Sequence, residues 1–485
     1  MPNVSTIEGI RVSADHWIGG SRVPSSDMFL DVSPIDREML AMVARGGKKE
    51  AAAAVASARQ AFEAWGVTPP EERSRVLHRV GDIVGARAAE LAVVETTDTG
   101  SLLRSMWRSV MPRVAATFHF FADRLLELEP MEFETDGHTN RVVWSPAGVT
   151  VVVTTWNAPL MLAAWRVAPA LAAGNTVVVK PPECAPLTAS MLVDIARDAG
   201  LPDGVLNVVQ GIGEEVGAAL VADPDVDRVA FTGSAATGRL VAAAAAASLT
   251  PVSLELGGRP PFAVFADADL DMAVQQAVSQ FDEAGRACLG GPRVLVEREV
   301  YSVFLARLVE QVTALRQGDP REEGTDLGPA ITREHFERVV SFVERVKAEG
   351  ARVVVGGGPN EDLGGWYYRP TLLVDAPTGS EILRREVVGP VLTLESFVGE
   401  DEAIALANET PGLAAIVHTR SPERAERLSA SLLAGTVWVN CCNVRDLRAP
   451  FGGLRKSGVG RQGGSWSFDF YADVQNVCTA PWERG

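Results

Sequence analysis

From Gly148 the chain settles into one repeating texture. Short runs dominated by valine, "GVTVVVTTW", "NTVVVK", "GVLNVVQ" and "VDRVAFT", are separated by alanine-rich stretches such as "PLMLAAWRVAPALAAG" and "APLTASMLVDIARDAG". β-Branched residues favour the pleated surface of a sheet, whereas alanine is the best helix former. Strands alternating with helices at this spacing imply an α/β fold built on a parallel, doubly wound sheet of Rossmann type. A second alternation begins near Pro261 with "PFAVFA" and "RVLVE", continues through the helical "VYSVFLARLVEQVTALR" and "REHFERVVSFVERVKAEG", and reaches the strand "ARVVVGG". Two sheet domains fit this pattern better than one, and 485 residues exceed what a single core usually organises.

Before Gly148 the apolar period is helical, through "KKEAAAAVASARQAFEAW", "RSRVLHRVGDIVGARAAELAVVE" and "PRVAATFHFFADRLLEL", so the N-terminal part reads as mostly helical. The alanine run at 242–247 suits a helix packed tightly beside a sheet. No internal repeat or flexible linker interrupts the chain. With 45 Lys+Arg against 62 Asp+Glu the net charge is −17, which argues against nucleic acid or anionic membranes as partners. The start lacks a basic region followed by an apolar run, and no segment reaches the ~18 apolar residues of a membrane span, so a cytoplasmic protein is expected. Five cysteines are too few for a disulfide framework, and six scattered histidines show no ligand spacing, so no metal site is expected.

One cysteine stands out. "QFDEAGRACLGGP" places Cys288 among small residues in a loop between a helix and a strand, where glycines let backbone approach a ligand. A lone cysteine is more often a buried structural residue than a nucleophile. Its context lies elsewhere in the chain. Asn157 in "TTWNAPL" directly follows a valine run, where its amide could donate to an oxyanion. Glu255 in "SLELGG" ends a short apolar strand, and desolvation there would raise its pKa toward that of a general base for water. "VVVKPPE" supplies Lys180 and Glu183 to donate to and accept from ribose hydroxyls, and "VAFTGSAATG" supplies Gly233 and Ser234 where a helix opens toward a pyrophosphate. "GIGEEVG" reads as an ordinary strand-to-helix turn.

Taken in order, "TTWNAPL", "KPPE", "FTGSAATG", "LELGG", "GRAC", "EVVGPV" and "PFGGLRKSGVGRQGG" resemble the motifs of the aldehyde dehydrogenase superfamily over nearly the whole chain. The resemblance implies that Cys288 attacks an aldehyde carbonyl while Asn157 and the Cys288 N–H hold the oxyanion. A hydride passes to NAD, and a water deprotonated by Glu255 hydrolyses the thioester to a carboxylic acid. It adds Thr155, Trp156 and Glu386 to the cofactor-binding set, and Glu255 argues against relatives that pass the acyl group to coenzyme A. Glu183 favours NAD over NADP, since a carboxylate repels a ribose phosphate. Three positions depart from the family's usual residues: Arg286 for Gln, Val388 for an aromatic, and Gln462 for Glu.

Substrate choice turns on arginines. Arg445 and Arg448 in "CCNVRDLRAPFGG" and Arg113 in "VMPRVAATFHFF" suit bidentate capture of a carboxylate, although any one of them could equally make a structural salt bridge. These stretches resemble the hydroxymuconic semialdehyde dehydrogenases, and so imply a carboxylated, unsaturated semialdehyde from aromatic-ring cleavage. Benzaldehyde-like and betaine-type aldehydes stay open, with Trp156, Trp165 and Phe281 as pocket walls or core. A cysteine esterase or a silent binding protein is the contrasting class. The resemblance further implies an NAD-binding domain at 1–127 and 146–256, a catalytic domain at 257–450, and an oligomerisation element at 128–145 and 463–485 that builds a homodimer or homotetramer.

Overall fold

A computed structural model of the chain describes residues 3–410 and 412–481; residues 482–485 of the expected oligomerisation element, Met1 and Pro2 of the first domain and Pro411 of the second lie outside the described residues. Three sheets organise it. The first has eight strands in the order Gly458–Val459, Val252–Leu256, Arg228–Gly233, Val149–Val153, Thr176–Lys180, Leu206–Val208, His16–Ile18, Ser21–Val23. The five strands from Val252–Leu256 to Leu206–Val208 run parallel, and antiparallel strands close both edges. Strand order reverses at Val149–Val153, so a topological switch point opens between its carboxyl end and that of Arg228–Gly233.

The second sheet has seven strands in the order Arg352–Val355, Thr371–Val374, Val391–Phe397, Arg293–Glu297, Pro261–Val264, Gly412–His418, Ala434–Val439, parallel except for the first pair. The third pairs Ala472–Thr479, His138–Pro146 and Met131–Thr135 antiparallel. Its side chains are mostly exposed, Met131, Phe133, Val474 and Val477 among them, which leaves apolar surface with nothing among the described residues to cover it.

Two expectations need correction. The first forty-odd residues are not helical: they form short strand pairs, and His16–Ile18 and Ser21–Val23 extend the first sheet, with the first helix beginning only at Lys48–Trp65. Strands this short carry no readable alternation. The C-terminal segment also does not belong wholly to the third sheet. Its helix Trp466–Tyr471 buries Phe468 and Tyr471 in the core of the first domain, so only Ala472–Thr479 is free to join the projecting strands.

The helix Ala88–Thr99 sets the geometry around the first sheet. Its fully buried Glu95 accepts from the Leu160 amide at 3.3 Å and from the Thr188 hydroxyl at 2.8 Å, while Asp98 accepts from the Leu187 amide at 3.1 Å. Leu160 and Leu187 lie in the first turns of Pro159–Ala173 and Leu187–Asp198, where amides lack intrahelical partners. Those two helices follow the loops that carry Asn157 and Lys180–Glu183. Burial pushes the Glu95 carboxyl up to about 7. In the window between the ordinary carboxylate range and pH 7 the unfolded chain ionises this group while the folded chain does not, so its stabilising contribution is lost as pH rises through 7. Thermal unfolding of Glu95→Gln against the parent chain checks this: the variant's midpoint is expected to be higher at pH 8, with the gain shrinking toward pH 5.

Candidate active site

The site forms where the carboxyl edge of one sheet faces the amino edge of the other. From the first sheet come Thr155, Trp156 and Asn157 after Val149–Val153, Gly233 and Ser234 at the end of Arg228–Gly233, and Glu255 near the end of Val252–Leu256. From the second come Cys288, in the turn before Arg293–Glu297, and Glu386, ahead of Val391–Phe397. All of these line one cavity of about 710 Å³. Lys180 and Glu183 end the neighbouring strand and pair with each other at 2.7 Å, with Lys180 buried.

Cys288 is half-buried, and burial pushes its thiol up to about 11; the charge of Arg445 pulls it down, and Glu255 and Glu386 push it further up. Asn157 donates from Nδ2 to the Arg286 carbonyl at 3.1 Å. That bond orients the amide beside the Cys288 turn and leaves its second N–H able to donate to a ligand.

Glu255 is buried, but its surroundings are not merely apolar as expected. The guanidinium of Arg166 lies 3.1 Å from Oε1, itself buried and donating to the Ser253 hydroxyl at 2.9 Å. Charge pairing therefore accompanies desolvation, and breaking such a buried pair leaves an uncompensated charge. Arg166 escaped the sequence reading, although an arginine inside "LMLAAWRVAPALAA", a helix buried almost all round, was the available signal.

The cofactor-facing half fits a dinucleotide by its donors. Ser234 caps the helix Ala235–Ala246, its hydroxyl accepting from the Thr237 amide at 3.1 Å, so the helix N-terminus opens beside the switch point. Gly238 packs closely there: a Cβ would come 2.5 Å from a terminal methyl of Leu256, which would have to move aside. Burial pushes the Glu386 carboxyl up to about 7, and its Oε2 presses on Gly257, where a Cβ would come within 2.1 Å. His335, on the helix Arg333–Ala348, also enters the cavity wall. Its Nε2 donates to the Val388 carbonyl at 2.6 Å, its ring lies 4.8 Å from that of Trp156, and its buried Nδ1 has no partner. Burial holds it down at about 4, so it is neutral at physiological pH. Nothing in the amphipathic "REHFERVV" distinguishes it from a surface histidine.

The three arginines separate. Arg445 and Arg113 are both partly buried, the charge of Arg113 helps to lower Arg445, and the charge of Arg445 reaches Cys288. Burial holds both guanidinium groups below their ordinary range, and Arg445 Nε is buried without a partner. Arg448 is not brought to the site. Its side chain is 79% exposed and is held by Asp446 two residues away, through bonds of 2.6 to 3.2 Å. Of the aromatic residues, Trp156 lines the cavity, while Phe281 is fully buried in the second core and Trp165 packs edge-on against Phe121 and Phe451.

Residues 22–477 match the aldehyde dehydrogenase family. The chain belongs to that family. Among its relatives, the 2-hydroxymuconic semialdehyde dehydrogenase of a Pseudomonas species is 42% identical over 478 residues, 96% of this chain and 98% of the relative. The crystal structure of HpcC from Thermus thermophilus superposes with a TM-score of 0.94 at 43% identity, covering 97% of this chain and 94% of that one. Betaine aldehyde dehydrogenase from Staphylococcus aureus, solved in complex with NAD+, superposes with a TM-score of 0.95 at 33% identity, covering 98% and 96%. The α/β architecture expected of an aldehyde dehydrogenase is thus the one observed, and the chain is an oxidoreductase. Among the described residues no helix is long and apolar enough to cross a membrane, and no group of three or more His, Cys, Asp or Glu could hold a metal ion.

The charges around Cys288 give a direct test in this aldehyde dehydrogenase. Alkylation by iodoacetamide requires the thiolate, so its rate is expected to climb about tenfold per pH unit between pH 7 and 9. Glu386→Gln, which removes a charge that raises the thiol, should speed the reaction at fixed pH, and Arg445→Ala should slow it, as followed by mass spectrometry of the Cys288 peptide.

Proposed function

We propose that the protein oxidises a carboxylated semialdehyde, such as 2-hydroxymuconate semialdehyde, to the corresponding acid with NAD. The observation that carries this reading is Arg445, whose charge reaches Cys288, together with Arg113, whose charge reaches Arg445: two partly buried cations with no ion pair to a carboxylate among the described residues. A buried unpaired cation is costly, and a substrate carboxylate that joins the two would relieve it with charge-assisted hydrogen bonds. The names of the Pseudomonas relative and of its counterparts favour the same substrate class.

In this reading the Cys288 thiolate attacks the aldehyde carbon, and the carbonyl oxygen takes up the charge between the second Asn157 N–H and the Cys288 backbone N–H. Lys180, Glu183, Ser234 and Glu386 would hold the cofactor, with Thr155, Trp156 and Gly233 lining its cleft. When bound there, NAD supplies the acceptor for the hydride lost as the thiohemiacetal becomes a thioester. Glu255 then takes a proton from water, whose oxygen attacks the thioester carbon; the C–S bond breaks and Cys288 leaves as thiolate. Arg166, 3.1 Å from Glu255 Oε1, orients the carboxyl group between these steps. The exposed third sheet supports assembly of copies into a dimer or tetramer.

Steady-state NADH formation tests the substrate assignment. Hydroxymuconate semialdehyde is expected to be preferred over benzaldehyde and betaine aldehyde. Arg113→Ala should lower kcat/KM for it by about 10- to 100-fold, the worth of one or two hydrogen bonds to a charged group, and leave benzaldehyde turnover much less affected; Arg445→Ala should lower both, the semialdehyde more, because Arg445 also favours the Cys288 thiolate. Arg448→Ala should change little. Equal turnover of the uncharged aldehydes would end the carboxylate assignment while keeping the chemistry.

The role of Glu255 has its own signature. In Glu255→Gln the thioester should form but hydrolyse slowly, so rapid mixing is expected to show a burst of about one NADH per active site before a much slower steady rate.

A further inference from the structure

The segment ahead of Cys288 folds against its own steric preference. Glu283 and Ala284 sit at φ 53° and 55°, in the left-handed region, and Gly285 follows at 68°. A non-glycine residue there brings its Cβ against the following carbonyl oxygen, so two in succession persist only where the surroundings over-determine them. Two side chains supply that determination. Arg286, 4% exposed, donates through Nη1 to the Thr99 carbonyl at 2.7 Å and through Nη2 to the Pro329 carbonyl at 2.6 Å, with Nη1 also 3.4 Å from the Ser101 hydroxyl. Glu283 accepts from the Leu102 amide at 3.4 Å and lies close to the Ser101 and Ser105 hydroxyls and to the charge of Arg286. Both therefore grip the chain leaving the helix Ala88–Thr99. On the far side the turn is wedged: a Gly285 Cβ would come 2.1 Å from the Gly389 carbonyl. The Arg286 carbonyl is also the acceptor that orients Asn157, and its guanidinium lies 5.7 Å from the Trp156 ring centre.

We propose that Arg286 and Glu283 form a clasp that sets the position of Cys288 relative to its oxyanion donor Asn157, making them positioning residues of the oxidation. The clasp deepens the reading of Cys288 as nucleophile and Asn157 as donor, and rests on it. Neither side chain meets the reacting atoms. Arg286 acts through its own carbonyl on Asn157 and through the wedged turn on Cys288. A guanidinium suits the task because its donors sit on separate nitrogens of a rigid fork and can span two carbonyls at once; a lysine has one nitrogen, and a glutamine amide is shorter and likewise has one.

The test compares Arg286→Gln, Arg286→Lys and Glu283→Gln with the parent enzyme and with Cys288→Ala, measuring NADH formation from hydroxymuconate semialdehyde and from benzaldehyde, iodoacetamide alkylation of Cys288, and thermal unfolding. Arg286→Gln is expected to lose 10- to 100-fold in kcat, with KM for aldehyde and NAD within about threefold and alkylation also within threefold, since alkylation needs the thiol but not the oxyanion donor. Arg286→Lys should recover part of the loss, and Glu283→Gln should lose less than Arg286→Gln. A kcat within twofold of the parent in folded Arg286→Gln overturns the clasp, as does a parallel loss of alkylation and kcat tracking a lower unfolding temperature. Should Arg286→Gln fail to fold, Ser101→Ala removes one hydroxyl of the grip: a kcat lowered at least threefold with alkylation unchanged supports the clasp, and an unchanged kcat overturns it. NADH formation persisting in Cys288→Ala would instead sink the reading of the site itself, and the clasp with it.

Discussion

The buried carboxyl groups of Glu95 and Asp98 fix the geometry on which the site is built. Each takes the amide of a helix that begins just after a functional loop, Pro159–Ala173 after Asn157 and Leu187–Asp198 after Glu183. A helix start leaves amides without partners, and inside a protein only a side chain close at hand can serve them. Supplying that acceptor from a neighbouring helix, instead of a local serine or aspartate cap, ties the entry points of two helices to one rigid element. The cost is visible: one oxygen of each carboxyl is buried with no partner, and burial, together with Asp31 beside Asp98, holds both groups above their ordinary range. The same helix continues into Thr99–Leu102, the stretch that Arg286 and Glu283 grip. Loops from both sheets are thus referenced to one piece of backbone.

Ligands of open parallel sheets sit at carboxyl strand ends, and the first sheet obeys that rule at its switch point. The second does not contribute in the same way. Cys288 and Glu386 lie ahead of the strands Arg293–Glu297 and Val391–Phe397, at their amino ends. Facing two sheets edge to edge in this sense puts Asn157, Ser234 and Glu255 on one wall of a single cavity and Cys288 and Glu386 on the other. It also explains the glycine at 257, where the two walls close and a Cβ would come 2.1 Å from Glu386 Oε2.

Much of this was legible in the sequence. Alternating valine runs and alanine-rich helices pointed to the two larger sheets, and the motifs between them named several of the residues that the fold gathers around the cavity. What escaped is informative. The N-terminal strands are three to six residues long and pair mostly with each other, too short for a period to register. Arg166 was passed over because its helix reads as uniformly apolar, yet a lone arginine in such a helix must meet a buried acid. Arg448 was grouped with Arg445 by proximity in sequence, but three residues on irregular backbone do not share a face, and Asp446 sits at the spacing that captures it first. His335 gave no signal, since its burial depends on Val388 and Trp156, which arrive from two distant parts of the chain.

The electrostatics around Cys288 present a tension that the two arginines resolve. Burial alone would keep the thiol protonated, and the carboxyl groups of Glu255 and Glu386 add to that, leaving Arg445 as the nearby charge that favours thiolate. In the proposed reading Arg445 also receives the substrate carboxylate, which would cancel the charge that activates the nucleophile. Arg113 changes the balance. With Arg113 near Arg445, a monoanionic end group would neutralise one cation and leave the other, and a carboxylate drawn between the two guanidinium groups would relieve the repulsion that lowers Arg445. A single arginine could hold the substrate or favour the thiolate, and the pair permits both at once.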